Sequence, residues 1–112
     1  MKIINLTPHT VNICDETETV VRSFPSEGNA RVQTVNDNRQ PIDGIPVKQV
    51  SYQATEGLPN YEAGQGRVYI VSMLVAQANP YRSDLMCPNT APGEVVRDSA
   101  GQIIGVKSFA RY

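Results

Sequence analysis

Polar and apolar positions alternate with a period of two over several short stretches, and turn-forming residues separate them. Thr10–Cys14 (TVNIC) and Thr19–Phe24 (TVVRSF) flank the acidic stretch Asp15–Glu18, which predicts a β-hairpin. Pro25–Asn29 then reads as a turn. Ala30–Val35 alternates again, with Ala30, Val32 and Thr34 on one face. Asn36–Gln40 (NDNRQ) has no apolar member and reads as a polar loop. Asp43-Gly44 forms the corner of a tight turn between two short extended pieces, and Lys48–Ala54 predicts another strand. Glu56–Gly66 holds one proline and three glycines in eleven residues, which predicts a long loop.

Arg67–Val71 (RVYIV) is β-branched and aromatic and predicts a strand near the middle of a sheet. Ser72 suits a helix N-cap, Met73–Asn79 has good helix formers, and Pro80 ends them. Tyr81–Gly93 reads as irregular. Glu94–Asp98 and Gln102–Phe109 predict a C-terminal hairpin, with Gly105 marking a bulge or a close backbone approach. At the other end Ile3–Leu6 is a short apolar run, interrupted by Thr7-Pro8-His9. The sum is a mainly β (α+β) single domain over 1–112. It has six or seven short strands in a small twisted antiparallel sheet or partial barrel, with one short helix near residues 73–79. The strand order stays open.

Composition narrows the class. With 40% hydrophobic and 19% charged residues in 112, the chain is globular and has one core. A core this small makes self-association, as a homo-oligomer, a reasonable expectation. Ten basic and eleven acidic residues give a net charge of −1, which does not suit direct binding of duplex nucleic acid. Polar residues and Pro8 break up the first eleven positions, and the longest apolar stretch, near Val68–Ala78, is too short to span a bilayer. A cytoplasmic protein without a membrane partner is expected. Cys14 and Cys87 then read as free thiols. His9 is the only histidine, so neither a metal site nor a cofactor is expected.

Candidate chemistry is sparse. A nucleophile pair would need His9 with Cys14 or Cys87, and Arg82 is close enough in sequence to activate Cys87. The preferred alternative is that His9 closes a turn and Cys87 is buried. The acidic stretch Asp15-Glu16-Thr17-Glu18 has the charge to imitate phosphates, though a solvated turn is the commoner role of so short a run. The richest cluster follows the helix: Tyr81, Arg82, Ser83 and Asp84, then Asn89 and Thr90. Tyr and Arg stack on bases, and Arg forks onto phosphate. The same residue types also make protein–protein hot spots. The competing explanation is a solvated connection in which Arg82 and Asp84 only pair with each other. For a nucleotide-like ligand the expected contacts are Arg82, Arg31 or Arg97 on phosphates, Tyr81 stacking, and Asn89 on a base or ribose edge, with Asp84 and Thr90 in the same candidate ligand-binding set.

Asn5-Leu6-Thr7-Pro8-His9 is followed by Glu56-Gly57-Leu58-Pro59, then by Val68-Tyr69-Ile70-Val71-Ser72 with Leu74-Val75-Ala76-Gln77-Ala78. Arg97-Asp98 and Gly101-Gln102-Ile103-Ile104-Gly105 complete the set. Together these resemble a group of small uncharacterised phage, prophage and bacterial proteins. In size and mixed β/α content the chain is also similar to the Thoeris anti-defence proteins, which sequester nucleotide-derived immune signals without cleaving them. The resemblance implies a non-enzymatic, phage-encoded anti-defence protein of the host bacterial cytoplasm, without transferring any site residue. The alternatives are an inhibitor of a host nuclease or defence effector protein, a small hydrolase or redox enzyme using His9 and Cys87, and a structural accessory protein.

Overall fold

Val68 and Ile70 point to one side of β6 (Arg67–Ile70), and Tyr69 and the following Val71 to the other, so this segment is apolar on both faces. The computed structural model, which describes residues 1–62 and 64–112, is layered around it. β6 lies between β1 (Lys2–Asn5) and β7 (Leu85–Pro88), parallel to both, and β10 (Phe109–Ala110) adds antiparallel to β7. Parallel neighbours need a crossover. Helix α1 (Met73–Ala78) lies on it, and Ser72 Oγ accepts from the Val75 N–H at 3.3 Å.

One apolar cluster packs under the helix, from Tyr69, Val71, Val75, Ala76 and Leu85 with Leu6 and Ala30. The other lies across the sheet, where Val68, Ile70 and Met86 meet Val11 and Phe24. Those last two belong to a second sheet of β3 (Val20–Phe24), β2 (Val11–Cys14), β9 (Ile103–Val106) and β8 (Val95–Arg97), in that order. Gly105 of β9 lies tight against the neighbouring inner strand, β2. A Cβ there would stand 2.6 Å from Cys14 Sγ and 3.1 Å from the Asn12 carbonyl.

A polar side chain joins the layers. Asn5, at the end of β1, is fully buried. Its Nδ2 donates to the carbonyls of His9 (2.8 Å) and Phe24 (2.7 Å). Its Oδ1 accepts from the Thr7 N–H (2.9 Å) and hydroxyl (2.7 Å). The Asn5 side chain therefore has no spare polar capacity, and it ties the Asn5-Leu6-Thr7-Pro8-His9 stretch into a hydrogen-bonded knot.

β4 (Thr34–Ile42) and β5 (Ile45–Tyr52) pair only with each other, as a hairpin that leaves both sheets. Asp43 and Gly44 have φ of 54° and 75°, the double left-handed corner of a two-residue hairpin turn.

The mainly β class with one short helix is what the chain adopts, in three sheets that do not close into a barrel. Four details differ from the sequence expectation. The described residues hold ten strands rather than six or seven. The antiparallel pattern holds for the hairpins, but β1, β6 and β7 run parallel, as do β2 and β9. Asn36–Gln40 is the middle of β4 rather than a loop, because cross-strand pairing rather than burial holds it. The expected irregular segment Tyr81–Gly93 contains β7, buried on both faces and so without alternation. Ala63, inside the expected loop 56–66, lies outside the described residues. Among the described residues no helix is long and apolar enough to cross a membrane.

Two stability experiments follow. Asn5→Asp preserves size and the acceptor for Thr7, but sets a carboxylate against two carbonyls. At about 1–3 kcal/mol for each buried group left unpaired, it should cost about 3 kcal/mol or more. The check is the denaturant midpoint at unchanged slope. Gly105→Ala should cost about 1–3 kcal/mol by overpacking, and Cys14→Ala in the same chain should return part of that loss. An additive double variant would disprove the steric account.

Candidate functional site

The loop after β5 is fastened at successive residues. Arg31 and Glu56 exchange backbone hydrogen bonds of 2.9 and 2.8 Å. Gly57 follows at φ 77°, and a Cβ there would lie 2.5 Å from the Asn29 carbonyl, so only glycine fits. Leu58 packs against the cluster under the helix. The Pro59 carbonyl then accepts from Arg82 Nη1 at 2.7 Å.

Arg82 is the centre of the site. Its side chain is only 6% exposed and forks onto Asp84, Nε to Oδ1 at 3.0 Å and Nη2 to Oδ2 at 2.7 Å. The guanidinium also lies 5.5 Å from the centre of the Tyr61 ring. Hydrogen bonding to Asp84 raises its pKa further, against the opposing effect of burial. With Nε, Nη1 and Nη2 each committed and the side chain almost wholly buried, the guanidinium has little left to offer a phosphate.

Asn79 ends the helix and is also buried. Its Nδ2 donates to Thr55 Oγ1 (2.8 Å) and to the Val75 carbonyl (2.9 Å), which ties the helix end to the strand-to-loop junction. Its Oδ1 accepts from the Tyr81 hydroxyl at 3.3 Å. Tyr61 shares a 2.6 Å hydrogen bond with Ser83. Between these walls lies an open groove of about 500 Å³, with Tyr52, Tyr61 and Tyr81 around it and Gln53, Asn60 and Arg82 in its lining. Behind it is a smaller cavity of about 220 Å³, lined by Asp84, Glu62 and Arg67 among others. Arg82 faces the groove and Asp84 the cavity, so the ion pair is the partition between them.

The sequence-predicted residues separate accordingly. Tyr81 and Arg82 line the groove, and Asp84 stands behind it. Arg31 is exposed and paired with Glu56 at 3.5 Å. Arg97 sits in β8 of the other sheet and donates to the Gly101 carbonyl at 2.8 Å, closing its own hairpin. Asn89 bonds Ser108 and the Ala91 N–H, locking the turn after β7, with Thr90 exposed beside it. Neither lines the groove. Tyr52 and Tyr61 line it but were missed. Tyr52 looked like an ordinary strand residue, and the aromatic in the glycine-rich loop was the only sign of Tyr61.

The remaining candidates have structural roles. Asp15 accepts from the Thr17 hydroxyl and from the Thr17 and Thr19 N–H groups, which lowers its pKa, so the acidic turn uses its own carboxylate. Cys14 and Cys87 are both buried and free. Burial pushes the Cys87 thiol up, against a hydrogen bond with Tyr112, which is the reverse of an activated thiolate. His9 is exposed, and its carbonyl belongs to the Asn5 knot.

The Arg82–Asp84 pair can be tested as a structural unit. Arg82→Met should cost about 3–5 kcal/mol, because it leaves the Asp84 carboxylate uncompensated. Arg82→Met with Asp84→Leu should recover most of that loss in the same unfolding experiment. A double variant as unstable as the single would show that the guanidinium acts by some route other than this pair.

No protein-family model, curated protein or solved structure matches this chain.

Proposed function

We propose that this is a non-enzymatic binding protein whose groove takes the base and ribose of a nucleotide-derived signal. The observation that carries the reading is the convergence of Tyr52, Tyr61 and Tyr81 on one open groove of about 500 Å³. Small-molecule sites run from roughly 300 to 1,000 Å³. The three residues are 46%, 38% and 76% exposed, so each leaves surface for stacking, Tyr61 with the Arg82 guanidinium over its ring. Gln53 and Asn60 place donors and acceptors beside them, suited to base edges and ribose hydroxyls. Because the Arg82 fork is filled, affinity in this reading comes from stacking and neutral hydrogen bonds. It should therefore depend only weakly on salt.

The biological setting rests on the resemblance alone. A phage-encoded protein of this kind, acting in the host cytoplasm, would hold an immune signal intact and keep it from its receptor. The three exposed tyrosines also support a second reading, in which the groove is a hot spot for a host defence protein.

Thermal unfolding against a panel of cyclic oligonucleotides, cyclic ADP-ribose isomers, mononucleotides and nucleosides tests the first reading. A binder present at a hundredfold excess over Kd adds about 2.7 kcal/mol, several degrees in a domain this size. Nucleosides should retain most of the affinity of their phosphates. Tyr81→Ala should weaken binding about 5- to 150-fold, given roughly 1–3 kcal/mol per stacked base, whereas Tyr81→Phe, which loses only the hydroxyl bonded to Asn79, should lower the unliganded Tm as much as Tyr81→Ala but keep most of the affinity. A flat panel, with a single protein retained from host lysate, would favour the second reading.

A further inference from the structure

The β4–β5 hairpin is unusual for a chain this small. It pairs with no other strand, and an isolated two-stranded hairpin is marginal in water. The radius of gyration is 16.6 Å, against about 13 Å for a compact chain of about 100 residues. The accessible surface is 7419 Å², whereas a monomer of this mass exposes about 6,100 Å². The excess, roughly 1,300 Å², is larger than the roughly 800 Å² each partner contributes to a standard interface.

The two faces of the arm differ. Cross-strand partners share a face, and the register pairs Val35 with Ser51, Asp37 with Gln49, Arg39 with Val47, and Ile42 with Ile45. In β5, Ile45 has the same parity as Val47, Gln49 and Ser51, so all four pairs lie on one side. That side carries four aliphatic residues, of which Ile42 and Ile45 are 67% and 65% exposed. Its charges are one acid and one base, Asp37 and Arg39, two residues apart on the same strand. Turned over about a two-fold axis, such a face meets itself with Asp37 opposite Arg39 and Arg39 opposite Asp37. Pairing through the strand edges is hindered near the tip, because Pro41 in β4 and Pro46 in β5 have no N–H to donate.

We propose that the occupant of this face is a second copy of the chain. The arms pack face to face, burying Val35, Ile42, Ile45 and Val47, with Asp37 and Arg39 paired reciprocally. The contact lies outside the groove and does not depend on what the groove binds.

The test is the solution mass of the full chain by analytical ultracentrifugation, over concentrations reaching about 1 mM, the weak end of specific association. The expected result is a concentration-dependent species of twice the 12.3 kDa chain mass. A monomer throughout would overturn the proposal and leave the arm to a different protein. Ile45→Asp should shift the equilibrium at least tenfold towards monomer. Charge reversal separates folding defects from lost association. Asp37→Arg alone and Arg39→Asp alone should each be monomeric, and an equimolar mixture should dimerise, because each then meets its complement. Dimers in both separate samples, or monomers in the mixture, would rule out this contact.

Discussion

The structure depends on one buried amide. Asn5 uses both of its N–H groups and accepts two hydrogen bonds, and every partner is in a different local segment from the strand that carries it. It stops β1 and turns the chain out of the first sheet. It also holds the end of β3 by the Phe24 carbonyl. The neighbouring backbone extends the connection: Leu6 donates to Ile70, Glu27 to Asn5 and Ala30 to Leu6, each at 2.8 Å. Residues 24–30 are thereby held against the central strand. Gly57 then rests on Asn29, Leu58 on the core and Pro59 on Arg82. A continuous series of contacts thus runs from the N-terminal knot to the groove wall.

The most prominent charged residue after the helix, Arg82, is committed to this series of contacts. Burying a guanidinium with a carboxylate gives little net stability, since desolvation offsets most of the attraction. What the pair supplies here is position. It holds a loop whose Leu58 packs against the core, and it keeps Tyr61 beside the guanidinium in the wall of the groove. A site on a loop fixed in this way loses less freedom on binding than one on an untethered loop.

The legible parts of the chain were those in which local pattern and final environment agree. β6, the Ser72 cap, the Asp43-Gly44 corner and the close approach at Gly105 all follow from residue type and neighbours. Three features were not legible because tertiary context decides them. β7 (LMCP) is buried on both sides, so it has neither alternation nor β-branching to mark it. The middle of β4 is polar and exposed, so its only mark is a partner fourteen or fewer residues away. The commitment of Arg82 to Asp84 and Pro59 depends on a carbonyl twenty-three residues upstream, which no local pattern reveals. The groove was half visible for the same reason. Tyr81 stood out in its own segment, whereas Tyr52 and Tyr61 come from segments that the fold alone brings to it.

The walls of the groove are unequally supported. Tyr61 belongs to the fastened loop, Arg82 holds that loop from the segment after the helix, and Tyr81 in the same segment follows the anchored Asn79. Tyr52 stands at the root of the arm, opposite Thr34, where β5 makes its last strand pair. Beyond it, the Gln53 N–H donates to the Gln33 carbonyl at 2.9 Å, and the Arg31–Glu56 bridge follows. The position of Tyr52 is therefore set by how firmly the arm is held above it and the bridge below it. A ligand that touches both Tyr52 and Tyr81 gives up part of its binding free energy to order that root. By linkage it returns the same amount of stability to the arm. Groove and arm occupy separate surfaces, yet they meet at this root, where Tyr52 of β5 lines the groove and the hydrogen bonds from Gln53 to Gln33 and between Arg31 and Glu56 tie both strands of the arm to the loop.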